Sequence, residues 1–359
     1  MFDMKQKPKI AVVGATGAVG EVMLSILAER GHREDRVTAL ASERSAGQDV
    51  EFGNTQLEVQ NLAEFVFASV DYALFSAGGS VSKEYAPRAA AAGAIVIDNT
   101  SAFRYDDDVP LVVPEVNAHL LDAIDGGCII ANPNCSTIQM VVALAPIHTV
   151  AGITRINVAT YQSVSGAGRK GLQELALQTA QKLNFQEPQM SAFSQPIAFN
   201  VLPQIDTLME NGYTREEMKM LWETQKILED PAVQVNATAV RVPVFYGHSE
   251  AVHFETREDI SLEQVCELLQ KARGVELLKN ESGNHPTAVT HAAGKDAVYV
   301  GRLRRDLSHP RGFSMWVVAD NIRKGAALNA IQIMDYLEQR RLAGARSAQA
   351  DLNPVQFSV

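Results

Sequence analysis

The stretch Asn132-Pro133-Asn134-Cys135-Ser136-Thr137 carries the residue types best suited to covalent chemistry in this sequence. An apolar run with strand character, Cys128 to Ala131, feeds it, and Ile138, Met140, Val141, Val142 and Leu144 continue it as an apolar helix expected to stop at Pro146. That pattern puts Cys135 at a strand-to-helix turn. Unpaired backbone N–H groups and the positive end of a helix dipole favour an anion there and are expected to lower the thiol pKa toward that of a nucleophile. A small buried packing residue is the other reading of an isolated cysteine.

A second set of residues suits nucleotide binding. Lys9 to Val13 reads as a strand, followed by Gly14-Ala15-Thr16-Gly17-Ala18-Val19-Gly20 and a helix from Glu21 to Arg30. Strand, glycine turn and helix let a backbone approach a pyrophosphate at a helix N-terminus, although the spacing here is GxxGxxG rather than GxGxxG. After the second strand, Arg36 to Ala41, comes Ser42-Glu43-Arg44-Ser45. Arg44 favours the 2′-phosphate of NADP, and Glu43 opposes it if its side chain faces the ribose.

Other polar residues fall at places where side chains converge. Arg104 ends Thr100-Ser101-Ala102-Phe103-Arg104 at the carboxyl edge of a predicted sheet, either as an anion ligand or as the partner of Asp106, Asp107 or Asp108. Ser163 to Gly168 is a second glycine-rich loop, after a strand from Arg155 to Gln162. Glu216 and Lys219 share one face of a helix over Glu216 to Leu228, whose apolar side carries Met218, Leu221, Trp222 and Gln225. His248 lies at a glycine-marked bend, and His253 lies within a strand.

The elements that must hold these residues repeat as strand, turn and helix in the first half, which predicts a parallel sheet covered on both faces. At 359 residues two domains are expected, and a 46% hydrophobic fraction is ample for their cores. The net charge of −10, with the basic residues dispersed, argues against nucleic acid. The cysteines Cys128, Cys135 and Cys266 form neither a CxxC nor a cluster with histidine at ligand spacing, so no metal site is expected and a reducing compartment is. The polar N-terminus and the lack of a long apolar run point to the cytoplasm rather than to a membrane. The segment from Pro188 to Pro203 has no clear period.

Taken together, GATGAVG from Gly14, SERSAG from Ser42, SAFR to Arg104, VPLVVPEVN from Val109, NPNCSTIQ around Cys135, YQSVSGAG from Tyr161, PIAFNVLPQID from Pro196, YTREEMKM from Tyr213, RVPVFYGHSE from Arg241 and WVVADNIRKGAA from Trp316 resemble the bacterial aspartate-β-semialdehyde dehydrogenases. The resemblance spans nearly the whole chain. It implies reductive dephosphorylation of aspartyl-β-phosphate by NADPH, through a cysteine thioester, on the route to lysine, methionine and threonine. It also implies an α/β fold: a Rossmann-like NADP-binding domain over 1–133, completed by a C-terminal helix over about 325–343, and a glyceraldehyde-phosphate-dehydrogenase-like α+β catalytic and dimerisation domain over 134–324. Residues 344–359 are expected to be a loose tail, and the protein to be a homodimer.

By the same resemblance Cys135 would carry the acyl group, Gln162 would orient it and His248 would be the acid/base. Arg241 would hold the substrate carboxylate, Glu216 and Asn134 would help to position the substrate, and Arg104 and Lys219 would bind its phosphate. Gly14, Thr16, Gly17, Ala18, Val19, Arg44, Ser45, Ser165, Gly166 and Asn321 would contact NADP. Two rivals are N-acetyl-γ-glutamyl-phosphate reductase, which shares the architecture and the thioester, and a catalytically silent paralogue, against which the presence of all four of Cys135, Gln162, Arg241 and His248 argues.

Overall fold

The computed structural model describes residues 7–351, and most of its strands follow the apolar runs of the sequence. In the first half these are β1 (Ile10–Val13), β2 (Val37–Ala41), β3 (Asp49–Phe52), β4 (Thr55–Glu58), β5 (Gln60–Asn61), β6 (Tyr72–Phe75), β7 (Ile95–Asp98) and β8 (Cys128–Ala131). β3 and β4 form a separate antiparallel hairpin that the sequence reading does not contain, its residues being largely exposed and polar. The others make a parallel sheet in the order β5-β2-β1-β6-β7-β8. Helices α1 (Ala18–Glu29), α2 (Gly79–Ala91) and α3 (Pro114–Asn117) belong to this half. Strand order reverses at β1, so the crevice between the carboxyl ends of β1 and β6 opens at the glycine turn. Gly14 is required there: its φ is +89°, and a Cβ would lie 2.7 Å from the Ser76 carbonyl oxygen.

The second half follows as α4 (Cys135–Ala151), β9 (Ile153–Gln162), α5 (Gly168–Leu183), α6 (Arg215–Ile227), β10 (Gln234–Arg241), β11 (His248–Thr256), α7 (Leu262–Lys271), β12 (Val275–Leu277), β13 (Val298–Arg305), β14 (Gly312–Ala319) and α8 (Leu328–Asp351). Its mixed sheet has the order β10-β9-β11-β14-β13-β12. α4, α6 and α7 cover one face, where Met140, Leu144, Met220, Leu269, Val252 and Met315 share a core. On the other face Tyr161 and His253 are exposed and Trp316 is half-buried. α8 returns to the parallel sheet, with Leu328, Ile331 and Met334 packed among Met23, Leu27 and Ile130.

Register places the chemistry. Arg241 pairs with Gln162 across β10 and β9, and Ser249 pairs with Tyr161 across β11 and β9, which sets His248 opposite Gln162. Residues at one level of neighbouring strands point to one face, so Arg241, Gln162 and His248 form a row at the end of the sheet beneath the start of α4. The next row holds Thr160 and Glu250, both fully buried. Among the described residues neither Glu250 carboxyl oxygen has a partner within normal hydrogen-bond geometry, and burial, opposed by the nearby Gln139 amide, raises its pKa well above the usual carboxylate value.

Three expectations change. α4 does not stop at Pro146 but continues to Ala151, because Ile147 and Ala151 are anchored in the core and offset the backbone bond that proline removes. α6 buries Glu216, Glu217, Met220, Glu223, Thr224 and Ile227 rather than the side carrying Met218, Leu221, Trp222 and Gln225, which is half-buried. Its acids find partners inside, so burial does not leave them unpaired. α8 runs on to Asp351, where a loose tail was expected from residue 344; Ala345, Arg346, Ala348 and Gln349 are strong helix formers with no intervening proline. The rest of that tail, 352–359, lies outside the described residues.

Candidate active site

β8 delivers the chain to Asn132-Pro133-Asn134, and α4 starts at Cys135. Asn132 is fully buried and joins Asn99 and Asn329 through its side-chain amide, at 2.9 and 2.7 Å. Asn134 is the N-cap of α4, its Oδ1 accepting the N–H groups of Ser136 and Thr137 at 3.0 and 3.2 Å. Its Nδ2 donates to Glu216 Oε1 at 2.8 Å. Cys135 therefore sits on a helix start fixed from both sides, at the wall of a cavity of about 760 Å³. Gly325, in a π-helical turn before α8, presses on it: a Cβ there would lie 2.7 Å from Cys135 Cβ.

The thiol pKa moves opposite to expectation. Burial and then the Glu216 carboxylate push it up to about 12, against smaller opposing effects of Arg241, Arg104 and the Ser136 N–H. The Asn134 side chain already occupies the first-turn N–H groups of Ser136 and Thr137 that were expected to stabilise a thiolate. In the ligand-free protein, alkylation of Cys135 by iodoacetamide should therefore climb about tenfold per pH unit between about pH 6 and about pH 10, because the thiolate fraction does. A plateau near neutrality in that profile would mean a thiolate formed in advance.

His248 is fully buried behind Gly166, with Nδ1 accepting the Ser163 N–H at 3.1 Å and Nε2 without a partner among the described residues. Accepting at Nδ1 puts the proton of the neutral ring on Nε2. Burial, reinforced by Arg241, keeps the imidazole neutral, well below its ordinary pKa. The Ser163 hydroxyl also lies 3.1 Å from Nδ1 and belongs to a network with Ser165 and Asn321.

The charged residues differ in what already holds them. Glu216, pushed up by burial but pulled down further by Lys219 and by hydrogen bonds from Asn134 and Gln162, is held below the usual carboxylate range. Lys219 bonds Asp206 and Glu216, each at 2.9 Å. Arg104 is the partner of none of Asp106, Asp107 and Asp108: Nη1 donates to Glu223 at 3.0 Å and Nη2 to the Asn99 carbonyl at 2.7 Å. Arg241 is different. Its exposure is 6%, its Nη1 donates to the Ser163 carbonyl at 2.7 Å, and among the described residues no carboxylate lies within ion-pair distance of it. Gly166 makes room for it, since a Cβ there would approach Nη1 to 2.7 Å.

The main cavity gathers Cys135, Gln162, Arg241, Glu216, Asn134, Arg104 and Lys219, and along its other wall Gly17, Ala18, Val19, Ser165, Gly166 and Asn321. Thr16, Gly14, Arg44 and Ser45 line a second cavity of about 580 Å³, which shares Gly17 and Ser76 with the first. His248 lines neither; it stands just behind Gly166.

Two family models cover the chain, one described as the NAD binding domain of semialdehyde dehydrogenase over residues 9–124 and one as its dimerisation domain over 144–324. Aspartate-semialdehyde dehydrogenase 2 of Vibrio cholerae serotype O1 is 58% identical over 334 residues, covering 93% of this chain and 98% of the relative. The chain belongs to the aspartate-semialdehyde dehydrogenase family. The family member of Bacillus subtilis is 50% identical over 341 residues, covering 93% of this chain and 98% of its own. Among solved structures, aspartate semialdehyde dehydrogenase II of Vibrio cholerae complexed with ASA superposes with a TM-score of 0.89 at 57% identity, covering 93% of this chain and 99% of that one. The Candida albicans enzyme with NADP gives 0.74 at 25% identity, covering 94% and 100%.

A dinucleotide of the kind the family's NAD binding domain takes fits the joined cavities on physical grounds. α1 begins after Gly17 with no side-chain cap, so its first N–H groups face the crevice free to meet a pyrophosphate. Gly17 lines both cavities, and a Cβ on it would come within 3.3 Å of only the Gly14 carbonyl oxygen. Glu43 and Arg44 both line the far cavity and both are exposed.

Sequence reasoning passed over Glu223, Asp206 and Gly325. For Glu223 a signal existed: it follows Glu216 by seven residues, two helical turns along the same face.

Proposed function

We propose that this protein reduces L-aspartyl 4-phosphate to L-aspartate 4-semialdehyde with NADPH, releasing phosphate, and that Cys135 carries the acyl group between the two half-reactions. One observation carries the assignment of roles: the cavity brings a thiol together with a buried arginine that has no carboxylate of its own. The α-carboxylate of an aspartyl substrate supplies that counter-charge, and the guanidinium can grip it through paired hydrogen bonds.

The sulfur attacks the acyl carbon, the bond from that carbon to the phosphate oxygen breaks, and a thioester remains on Cys135. A thioester accepts hydride where an acyl phosphate or a serine ester does so poorly. Gly14, Thr16 to Val19, Arg44, Ser45, Ser165, Gly166 and Asn321 would hold NADPH, which would supply a hydride to the thioester carbon; the bond from that carbon to the Cys135 sulfur then breaks, leaving the aldehyde and a thiolate that takes its proton back from His248. His248 manages the proton of the thiol. In the other tautomer Nδ1 carries the proton and donates to the Ser163 hydroxyl, at the cost of the bond from the Ser163 N–H, and Nε2 is freed as the base. Since burial keeps both thiol and imidazole neutral in the free protein, the thiol proton passes to His248 as the sulfur attacks. Gln162, tethered to Glu216 and Thr160, orients the acyl carbonyl. Arg104 and Lys219 meet the departing phosphate, while Glu216 and Asn134 position the substrate between them.

The dinucleotide-binding domain is 1–133 with the returning helix over about 325–343, and the covalent chemistry belongs to 134–324, which also lends Ser165, Gly166 and Asn321 to the cofactor. The aromatic face bearing Tyr161 and Trp316 suits a second copy of the chain, in a cytoplasmic homodimer. Among the described residues no helix is long and apolar enough to cross a membrane, and no group of histidine, cysteine and acidic residues could hold a metal.

The decisive test runs the reaction backwards. Purified protein, aspartate semialdehyde and phosphate should reduce NADP, and omission of phosphate should stop it. Parallel assays with NAD weigh Arg44 against Glu43, and a lower KM for NADP is the expected result. Phosphate-independent oxidation would sink the acyl-phosphate reading, and a preference for NAD would remove Arg44 from the 2′-phosphate site.

A further inference from the structure

Glu223 is fully buried at the heart of the site, and none of the chemistry above uses it. It lies on the inner face of α6, four residues after Lys219 and seven after Glu216. Its Oε1 accepts from Arg104 Nη1 at 3.0 Å and from the Tyr105 hydroxyl at 3.3 Å. Its Oε2 accepts the backbone N–H of Asn134 at 2.6 Å. One carboxylate thus joins an arginine that lines the cavity to the residue immediately before Cys135, and these come from different segments of the chain.

Geometry limits what Arg104 can do. A guanidinium has five N–H donors in a rigid plane. Glu223 and the Asn99 carbonyl take one each, on different nitrogens, and so fix the plane. Nε is buried without a partner, and the remaining Nη donors belong to a residue that lines the cavity. Without the carboxylate the guanidinium could turn, and a second tie, from Oε2 to the start of α4, would also be lost.

We propose that Glu223 is a positioning residue for the phosphoryl group of the substrate, holding the Arg104 guanidinium in register with Cys135 by clamping both to α6. It rests on the reading of Arg104 as a phosphate ligand. A carboxylate that served stability alone would affect both substrates alike when altered; one that acts through Arg104 acts on phosphate first.

The test is steady-state kinetics in the oxidative direction, varying phosphate at saturating aspartate semialdehyde and NADP, then the reverse. Glu223→Gln keeps the shape and removes the charge, and Glu223→Asp keeps the charge and shortens the reach. Each should raise KM for phosphate by about tenfold or more while KM for aspartate semialdehyde stays within about twofold. In an Arg104→Ala background, Glu223→Gln should change KM for phosphate no further, because its route is already gone. The proposal is overturned by an unchanged phosphate KM in the single variants, by effects that multiply in the double variant, or by failure of both Glu223 variants to fold, which would mark a purely structural residue. A parent protein that does not consume phosphate would instead overturn the functional reading beneath it.

Discussion

Cys135→Ala should lower kcat by about 10⁴-fold or more and leave the melting temperature close to that of the parent. The loss follows from covalency: alanine offers no atom to hold the acyl group, and binding contacts elsewhere cannot replace a bond. The preserved fold follows from the geometry around the position. The cap on α4 comes from the Asn134 side chain and not from residue 135, so the helix start survives the change. Gly325 packs against the Cβ, which alanine keeps. The measurement pairs turnover with calorimetry and adds a rapid-quench mass of the peptide spanning position 135, using the parent protein and aspartyl phosphate without cofactor. An added aspartyl mass is expected on that peptide. Appreciable turnover by the alanine variant would exclude the covalent route.

Much of this was legible because local pattern and tertiary role agree. The run Cys128 to Ala131 is the edge strand of the parallel sheet, half-buried at its start and fully buried at its end, and the apolar residues after Cys135 form a helix packed nearly all round, so both appear as apolar runs in the sequence. Motif resemblance supplied Arg241, Gln162 and His248, and strand register places all three in one row on one face.

What was hidden depends on partners far away in sequence. Counting backbone donors near Cys135 suggests an acidic thiol, but burial first, and then Glu216, brought in by a side-chain bond to Asn134 from 82 residues away, oppose ionisation, and the cap uses two of those donors. Glu223 shares the inner face of α6 with Glu216, a spacing that the sequence carries. Its partners Arg104 and Asn134 stand 119 and 89 residues away, and nothing local announces them. Lys219 shows the same effect: helical spacing pairs it with Glu216, but only the fold shows that the pair is largely buried in the site.

Arg241→Met should separate stability from activity by moving them in opposite directions. A guanidinium that is 6% exposed and has no carboxylate in ion-pair distance carries a desolvation penalty that its bond to the Ser163 carbonyl offsets only in part. Burial, the larger influence, lowers its pKa, and Glu216 helps it from a greater distance. Methionine keeps an unbranched apolar stem and removes the charge, so the variant should be more stable by roughly 1–4 kcal/mol. Its kcat/KM for aspartate semialdehyde should fall by about 10³-fold, since the α-carboxylate then enters a dry site with no partner, a loss of about 4 kcal/mol. Arg241→Lys restores charge without the fork and should recover only part of the activity. Chemical denaturation and steady-state kinetics on the same preparations decide the matter. A fall in stability that parallels the fall in kcat/KM would make Arg241 a structural residue and leave the substrate carboxylate without a ligand in this cavity.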